Sequence, residues 1–591
     1  MRKPGSRVRS SPVRSEKSAT APVVIAGKPT CVSPRLASCR EEKDYHLEQV
    51  VIYFSQMPSR RTINTWLPRH RVVLGFAAIG IVILAIVATN FATGSRPAAG
   101  MRAAGSNSEN AAASEDTPSP ADRPPRALYV FFLIGDGMGI AQIQAAQAYL
   151  ARAHQSTGVP AKPYPPSDPK VYPLAMTRLP VCGLQTTYAA DRFITDSAAA
   201  GTALACGIKA RDGVISKKLD GSDAVTIAEL AKDQGMKVGI ITSVSVDHAT
   251  PAVFYAHEAS RNNYYNIGVQ LANSDFDFFG GGGFLQPAGA GGAEPHVLDI
   301  AQANGFTVAR GATELAAISP GTRTIAIDPY LDDSQALYYE IDRVHDPETL
   351  TLAEYTAEAI RLLDNPHGFF MMIEGGKIDW ACHANDARTA IDETLAFDKA
   401  VAETLAFYEQ HPDDTLIVVT GDHETGGLSI GWAGTRYNSF WSVLENQTVS
   451  WFAFAPVFDA YKAVTPWAGV DDDMDQALKD IVLRCFGLNY ATLTAFEQRK
   501  LEAAYDRSRN GAPLVSAEED YLLHGSRDAF TATITHILNQ KAGLGWTSYS
   551  HTGVPLPVYA IGRTAYLFEG FYDNTDVARK LAIAMGVALN N

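Results

Sequence analysis

The chain has 591 residues, 46% apolar and 19% charged, with 50 Lys plus Arg against 64 Asp plus Glu and a formal net charge of −14. These proportions exclude a disordered or fibrous chain and a small disulfide scaffold, and the acidic surplus argues against nucleic-acid binding. The charge is unevenly placed: residues 1–71 hold 14 basic and 5 acidic residues, a net of +9, and the rest holds 36 and 59, a net of −23.

Residues 1–71 are weakly patterned and read as a basic cytoplasmic segment. Where the sign changes stands VVLGFAAIGIVILAIVAT, and the 24 positions from Val72 to Ser95 contain no charged residue. A helix crosses a hydrocarbon core with about 20 apolar residues, so residues 72–92 are predicted to form a transmembrane helix or signal anchor. Arg60, Arg61, Arg69 and Arg71 precede it, and basic residues on that flank hold it in the cytoplasm. The remainder is then expected outside, in the periplasm or at the cell surface. Met57 ahead of Arg60 and Arg61 is a second candidate start, which would make the element an export signal. No small-x-small site directly follows the apolar run, so an uncleaved anchor is favoured over export with signal cleavage. Residues 93–127, rich in Ala, Ser, Pro and Gly, are predicted to be a flexible linker.

From residue 128 to 591 apolar runs alternate with amphipathic stretches. ALYVFFLIG, MKVGIITSV, FFMMIEGG, TLIVVTGD and VPLPVYAIG read as buried strands, and DAVTIAELAKDQG and LTLAEYTAEAIRLLDNPHG as helices. This predicts an α/β fold: one large, mostly parallel sheet flanked by helices. Residues 430–545, which include WSVLENQTVSWFAFAPVF, form a possible lid or insertion region. Cys31 and Cys39 fall on the predicted cytoplasmic side. Cys182, Cys206, Cys382 and Cys485 form no CxxC pair, and a Cys182–Cys206 bridge and free buried thiols remain equally open.

Ligand sites of such sheets form at the carboxyl ends of the strands. In chain order those positions hold Asp136, then Asp247, His248 and Thr250, then Glu374, with Asp379 and His383 one helical turn apart behind it, and then Asp422 and His423. His551 stands before the last run. An Asp in a turn ordinarily caps a helix and a lone His is ordinarily a satisfied polar residue. Four strand ends and one strand entry meet at one edge, where so many carboxylates would repel one another without multivalent cations; mixed His and Asp sets suit zinc, all-oxygen sets magnesium. Ser197 in DRFITDSAAAGTALACG opens an Ala-rich helix, where an anion is favoured. Plain N-capping by Asp196 or Ser197 is the alternative. A serine at an anion site beside metals points to phosphoryl transfer.

The blocks GDGMG, TDSAAAGTA, DHATPA with YAHEASR, EGGKIDWACH, VVTGDHETGG and HTGVPLPVYAIG, in this order, resemble the alkaline phosphatases. The resemblance spans roughly residues 127–591 and is least diagnostic over 430–545. It implies two zinc ions and one magnesium ion per chain. Asp379, His383 and His551 would hold the first zinc; Asp136, Asp422 and His423 the second, near the nucleophile Ser197; and Asp136, Thr250 and Glu374 the magnesium, with His248 beside it. Arg261 would clamp the phosphate and Trp380 would border the substrate. His248 and Trp380 stand where some members have Asp, and Lys or His, as in certain bacterial members. Asp247 would exchange roles with His248 if the alignment slipped by one. The implied activity is phosphomonoester hydrolysis through a phosphoserine on Ser197, and a homodimer is implied as well. A phosphodiesterase or sulfatase of the same superfamily, and a non-catalytic anchored phosphate-binding protein, are the alternatives.

Overall fold

The computed structural model describes residues 126–153, 170–332, 334–467, 469, 473–510 and 516–591. The predicted cytoplasmic segment, the transmembrane helix at 72–92 and the linker up to residue 125 lie outside the described residues. Among the described residues no helix is long and apolar enough to cross a membrane.

Ten strands make the main sheet among the described residues: β1 (Tyr129–Gly135), β2 (Val181–Thr186), β3 (Lys237–Thr242), β4 (Phe278–Gly281), β5 (Thr307–Arg310), β6 (Thr324–Ile327), β7 (Phe369–Gly375), β8 (Thr415–Gly421), β9 (Leu556–Gly562) and β10 (Gly570–Asp573). Their spatial order is β10-β2-β9-β8-β1-β7-β3-β4-β6-β5. All neighbouring pairs are parallel except those of β9, which runs against both β8 and β2. The five strands predicted from apolar runs are the central ones plus β9. The others are short or lie toward the sheet edges, where the apolar signal weakens.

The apolar runs of β1, β7 and β8 are unbroken because both faces are covered, and every residue of these strands is buried. Alternate side chains enter separate cores. Phe131, Leu133, Met371, Ile373, Ile417 and Val419 pack on one face, beneath the helices Ile140–Ala153 and Ala387–Gln410. Val130, Phe132, Phe370, Met372, Leu416 and Val418 pack on the other, with Leu204, Ile227 and Leu581 of three further helices. Each large side chain so buried contributes about 1.5–3 kcal/mol. The two helices expected from sequence form at Ile227–Asp233 and Leu352–Leu363. Each begins with a capping box, Thr226 with Glu229 and Thr351 with Glu354.

The described residues of 430–545 leave the sheet as a largely helical insertion. Its neck is a two-residue ribbon in which Ser429–Ile430 pairs with Leu544–Gly545. The insertion is held to the body at Asp386, which caps the Ala387–Gln410 helix. Its carboxylate accepts from Gln447 Nε2 at 2.9 Å and from the Trp451 backbone N–H at 3.0 Å. Asp342 likewise accepts from the Ser450 backbone N–H at 2.8 Å.

Candidate active site

Strand register brings the acidic residues together. Gly135 at the end of β1 pairs with Gly375 of β7 on one side and Gly421 of β8 on the other. Asp136 and Asp422 therefore leave adjacent strands abreast, and Glu374 is held one residue short of the end of β7. Gly137 follows with φ of +71°, and a Cβ there would lie 2.8 Å from the Asp379 Cα. Only glycine allows this turn and this approach without strain. Its N–H donates to Asp422 Oδ1 at 3.2 Å. Because β9 is antiparallel, the residues before it reach the same edge. His551–Thr552 pairs with Glu424–Thr425, which stacks the His551 ring on that of His423 with centroids 3.5 Å apart.

Three ligand-like groups result. In the first, His383 Nε2 lies 3.3 Å from Asp379 Oδ2 and 3.2 Å from His551 Nε2, which is itself 3.7 Å from Asp379 Oδ1. In the second, His423 Nε2 lies 3.4 Å from Asp136 Oδ1 and 3.3 Å from Asp422 Oδ2. In the third, Asp136, His248 and Glu374 converge with ligand atoms within 4.8 Å of one another, and Thr250 Oγ1 donates to Asp136 Oδ2 at 3.2 Å. The imidazoles are aimed from behind by backbone carbonyls, His383 Nδ1 by Tyr549 O at 2.6 Å and His551 Nδ1 by Thr195 O at 2.7 Å. Such contacts fix which ring nitrogen faces a ligand.

The cluster is electrostatically unfinished with protein atoms alone. Burial, and then the charges of Asp422, Asp379 and Glu374, hold the Asp136 carboxyl well above its ordinary range. Glu374 and Asp422 are raised too, first by burial. Burial alone would also raise Asp379, but His383 and His551 pull it well below the carboxylate range. Burial and then the neighbouring His551 push His423 far down. Asp136 Oδ1, Asp422 Oδ2 and Glu374 Oε1 are buried without a hydrogen-bond partner. Buried oxygens of this kind are costly unless a cation takes them. The donor sets fit metal ions: carboxylate with imidazole in the first two groups, mainly oxygen in the third.

Ser197 begins the Ser197–Cys206 helix. The N-cap is Asp196, whose side chain accepts from the Ala199 N–H at 3.0 Å. Ser197 is thereby freed from capping, and its Oγ lies 3.2 Å from His423 Nε2, at the second group. Arg261 is anchored beside it, with Nη1 3.0 Å from Asp196 Oδ2 and Nη2 3.1 Å from His248 Nε2. An arginine can only donate, so His248 accepts in its neutral form, and burial followed by the Arg261 charge pushes its pKa down to about 3.

The structure thus brings Asp136, Ser197, His248, Thr250, Arg261, Glu374, Asp379, His383, Asp422, His423 and His551 to one edge. Trp380 stands edge-on to His248, with centroids 5.9 Å apart, and lines a neighbouring cavity. Asp247 serves elsewhere, accepting from the Leu285 N–H at 2.9 Å. Cys182, Cys206, Cys382 and Cys485 are free, so no Cys182–Cys206 bridge forms. Sequence reasoning missed Thr242, whose hydroxyl donates to Glu374, and Thr425, whose hydroxyl donates to Asp379. It also missed the buried Lys377–Asp332 ion pair at 2.6 Å beneath Trp380. Thr242 closes β3 and Thr425 follows the Asp422–His423 pair, so position relative to the strand ends was the available signal.

Comparison with known proteins agrees with this geometry. The profile of the alkaline phosphatase family matches residues 127–276 and 330–587. Alkaline phosphatase 3 of Bacillus subtilis is 32% identical over 481 residues, covering 78% of this chain and 90% of that protein. The cold-active alkaline phosphatase of Shewanella sp. superposes with a TM-score of 0.62 at 29% identity, covering 77% of this chain and 99% of that one. The Thermus thermophilus alkaline phosphatase gives a TM-score of 0.63 at 26% identity, over 81% and 96%. A fold with its metal-type donor groups in place, a serine at a helix start and matches of this extent have one reading: the chain is an enzyme of the alkaline phosphatase family.

Proposed function

We propose that the chain hydrolyses phosphate monoesters through a phosphoserine on Ser197, with two zinc ions and one magnesium ion as cofactors. Asp379, His383 and His551 would hold one zinc, Asp136, Asp422 and His423 the other, and Asp136, Thr250 and Glu374 the magnesium, with His248 alongside. When bound, these ions supply Lewis acidity and positive charge at the attacking and leaving oxygens. The observation that carries the reading is the Ser197 Oγ, 3.2 Å from His423 Nε2 at the start of a helix and flanked by an anchored arginine.

The protein's own part is positioning. Asp196 takes the capping duty, leaving the Ser197 oxygen available to form the O–P bond as the alcohol oxygen departs. The N–H groups at the helix start and the N–H donors that Arg261 does not give to Asp196 and His248 meet the equatorial phosphoryl oxygens, where charge accumulates. Water then cleaves the Ser197 O–P bond, and the two inversions give net retention at phosphorus. Asp136, Ser197, Asp422 and His423 are buried, which strengthens each of these interactions.

Acid quenching with labelled phosphate tests this. The label is expected on Ser197 and is expected to vanish in Ser197→Ala; label trapped at another residue would refute the assignment. We further propose that residues 72–92 anchor the chain and that the catalytic body lies outside the cytoplasm. Protease added to cells whose outer barrier has been opened should then release phosphatase activity, and activity found in the soluble cytoplasmic fraction would contradict the placement.

A further inference from the structure

Next to the first donor group lies a cavity of ≈ 230 Å³ that the mechanism above leaves unused. Its walls include Tyr339, Trp380, His383, Trp451 and Phe452, and Arg527 reaches into it from the insertion. The Arg527 guanidinium lies 4.3 Å from the Trp451 ring centroid. Its Nε is buried without a hydrogen-bond partner, and the side chain joins no ion pair among the described residues. The carboxylates nearby are committed. Asp332 is spent on Lys377 at 2.6 Å and on the Ser334 and Ala336 N–H groups. Asp379, whose charge Arg527 feels, is engaged by His383 and Thr425. The cavity therefore combines aromatic walls with one uncompensated cation.

Both walls are fixed in place. Asp386 accepts from the Trp451 N–H at 3.0 Å, tying the insertion to the helix that follows the first donor group. Asp528, next to Arg527, caps the Ala529–Ala542 helix through the Thr531 N–H at 3.0 Å. A pre-set, partly desolvated guanidinium without a hydrogen-bond or ion-pair partner attracts an anion, and aromatic walls accept a planar ring. An apolar cavity of roughly 150 Å³ suffices for benzene, so this one takes a single ring with a small charged substituent.

We infer that this cavity receives the alcohol part of the substrate, and that Arg527 selects monoesters whose leaving group is a planar ring bearing a second anionic group. The inference rests on the monoesterase reading and deepens it. The test compares kcat/KM for phenyl phosphate and para-carboxyphenyl phosphate in the metal-loaded wild type, Arg527→Gln and Arg527→Lys. The quantity read is the ratio of the two esters on one preparation, so loss of folded enzyme cancels, and intrinsic ester reactivity is common to all three proteins.

From wild type to Arg527→Gln the ratio is expected to fall about tenfold in disfavour of the carboxylate ester, as for loss of one charge-assisted hydrogen bond. Arg527→Lys should retain part of the preference. An unchanged ratio, or an equal loss for both esters, would overturn the inference, the latter because Arg527 would then serve the phosphoryl group or the fold. Failure of the wild type to hydrolyse phenyl phosphate would instead overturn the monoesterase reading itself.

Discussion

The sheet edge and the helical insertion meet at one cavity but fix their residues by different means. Asp136, Glu374 and Asp422 sit at the ends of β1, β7 and β8, strands buried on both faces and locked in a shared register. Trp451 and Arg527 sit on an insertion joined through a two-residue ribbon and a few capping carboxylates. Chemistry that tolerates little misplacement is carried by the rigid element. The part proposed to choose among leaving groups is carried by the element that can vary without disturbing the sheet.

Substitutions on the two sides should therefore fail differently. Ser197→Ala should lower kcat/KM by at least about 10³-fold with little change in stability; retention of more than a tenth of the activity would remove the serine from the mechanism. Arg261→Ala should cost about 10²-fold, the usual penalty for losing a donor to transition-state charge, as measured by steady-state kinetics. On the insertion side, Asp386→Asn replaces Oδ2, which accepts from Gln447, Thr389 and Trp451, with a donor. A loss of about 1–3 kcal/mol is expected in urea unfolding, with weakened leaving-group selectivity, and an unchanged midpoint would show that this carboxylate does not hold the insertion.

The smallest effect lies outside both regions, at the His257–Glu229 pair, 3.0 Å apart. Burial alone would lower His257, but its bonds to Glu229 and the Ser216 carbonyl raise it. Burial alone would raise Glu229, but His257 and Thr226 hold it down. A raised histidine stabilises below its unfolded pKa of about 6.5, and a lowered glutamate above about 4.5. The pair thus contributes most between these values, its histidine share fading as pH rises through the folded His257 pKa. Glu229→Gln should lower stability between these values by about 1 kcal/mol or less and flatten the fall above the unfolded histidine pKa, read from urea midpoints across pH. An unaltered slope would assign the slope to other groups.

Much of the site was legible because its residues directly follow apolar runs. Asp136 comes one residue after β1 and Asp422 one residue after β8, so predicting the strands placed both carboxylates at one edge. His551 was legible as a residue before a strand, although the antiparallel direction of β9, which explains its arrival at that edge, has no local signal. The four-residue strands β4, β5 and β6 lack the length for one. The Tyr549 and Thr195 carbonyls that aim His383 and His551 are backbone atoms, on which side-chain identity is silent. Arg527 joins the cavity only because the insertion brings it to the same walls as Trp380, 147 positions earlier in the chain, a long-range juxtaposition that composition and spacing do not encode.

The central claim, that the buried carboxylates and imidazoles of the sheet edge form a metal-dependent phosphatase site, is tested most directly by one preparation followed through chelation. Metal content, phenyl phosphate hydrolysis and the thermal transition would be read before and after removal, and again after zinc and magnesium are returned. Two zinc ions and one magnesium ion per chain should leave together with the activity. The transition should fall, because Asp136, Asp422 and Glu374 lose the charge that balances them, and all three readings should recover on reconstitution. Full activity in metal-free protein would contradict the account.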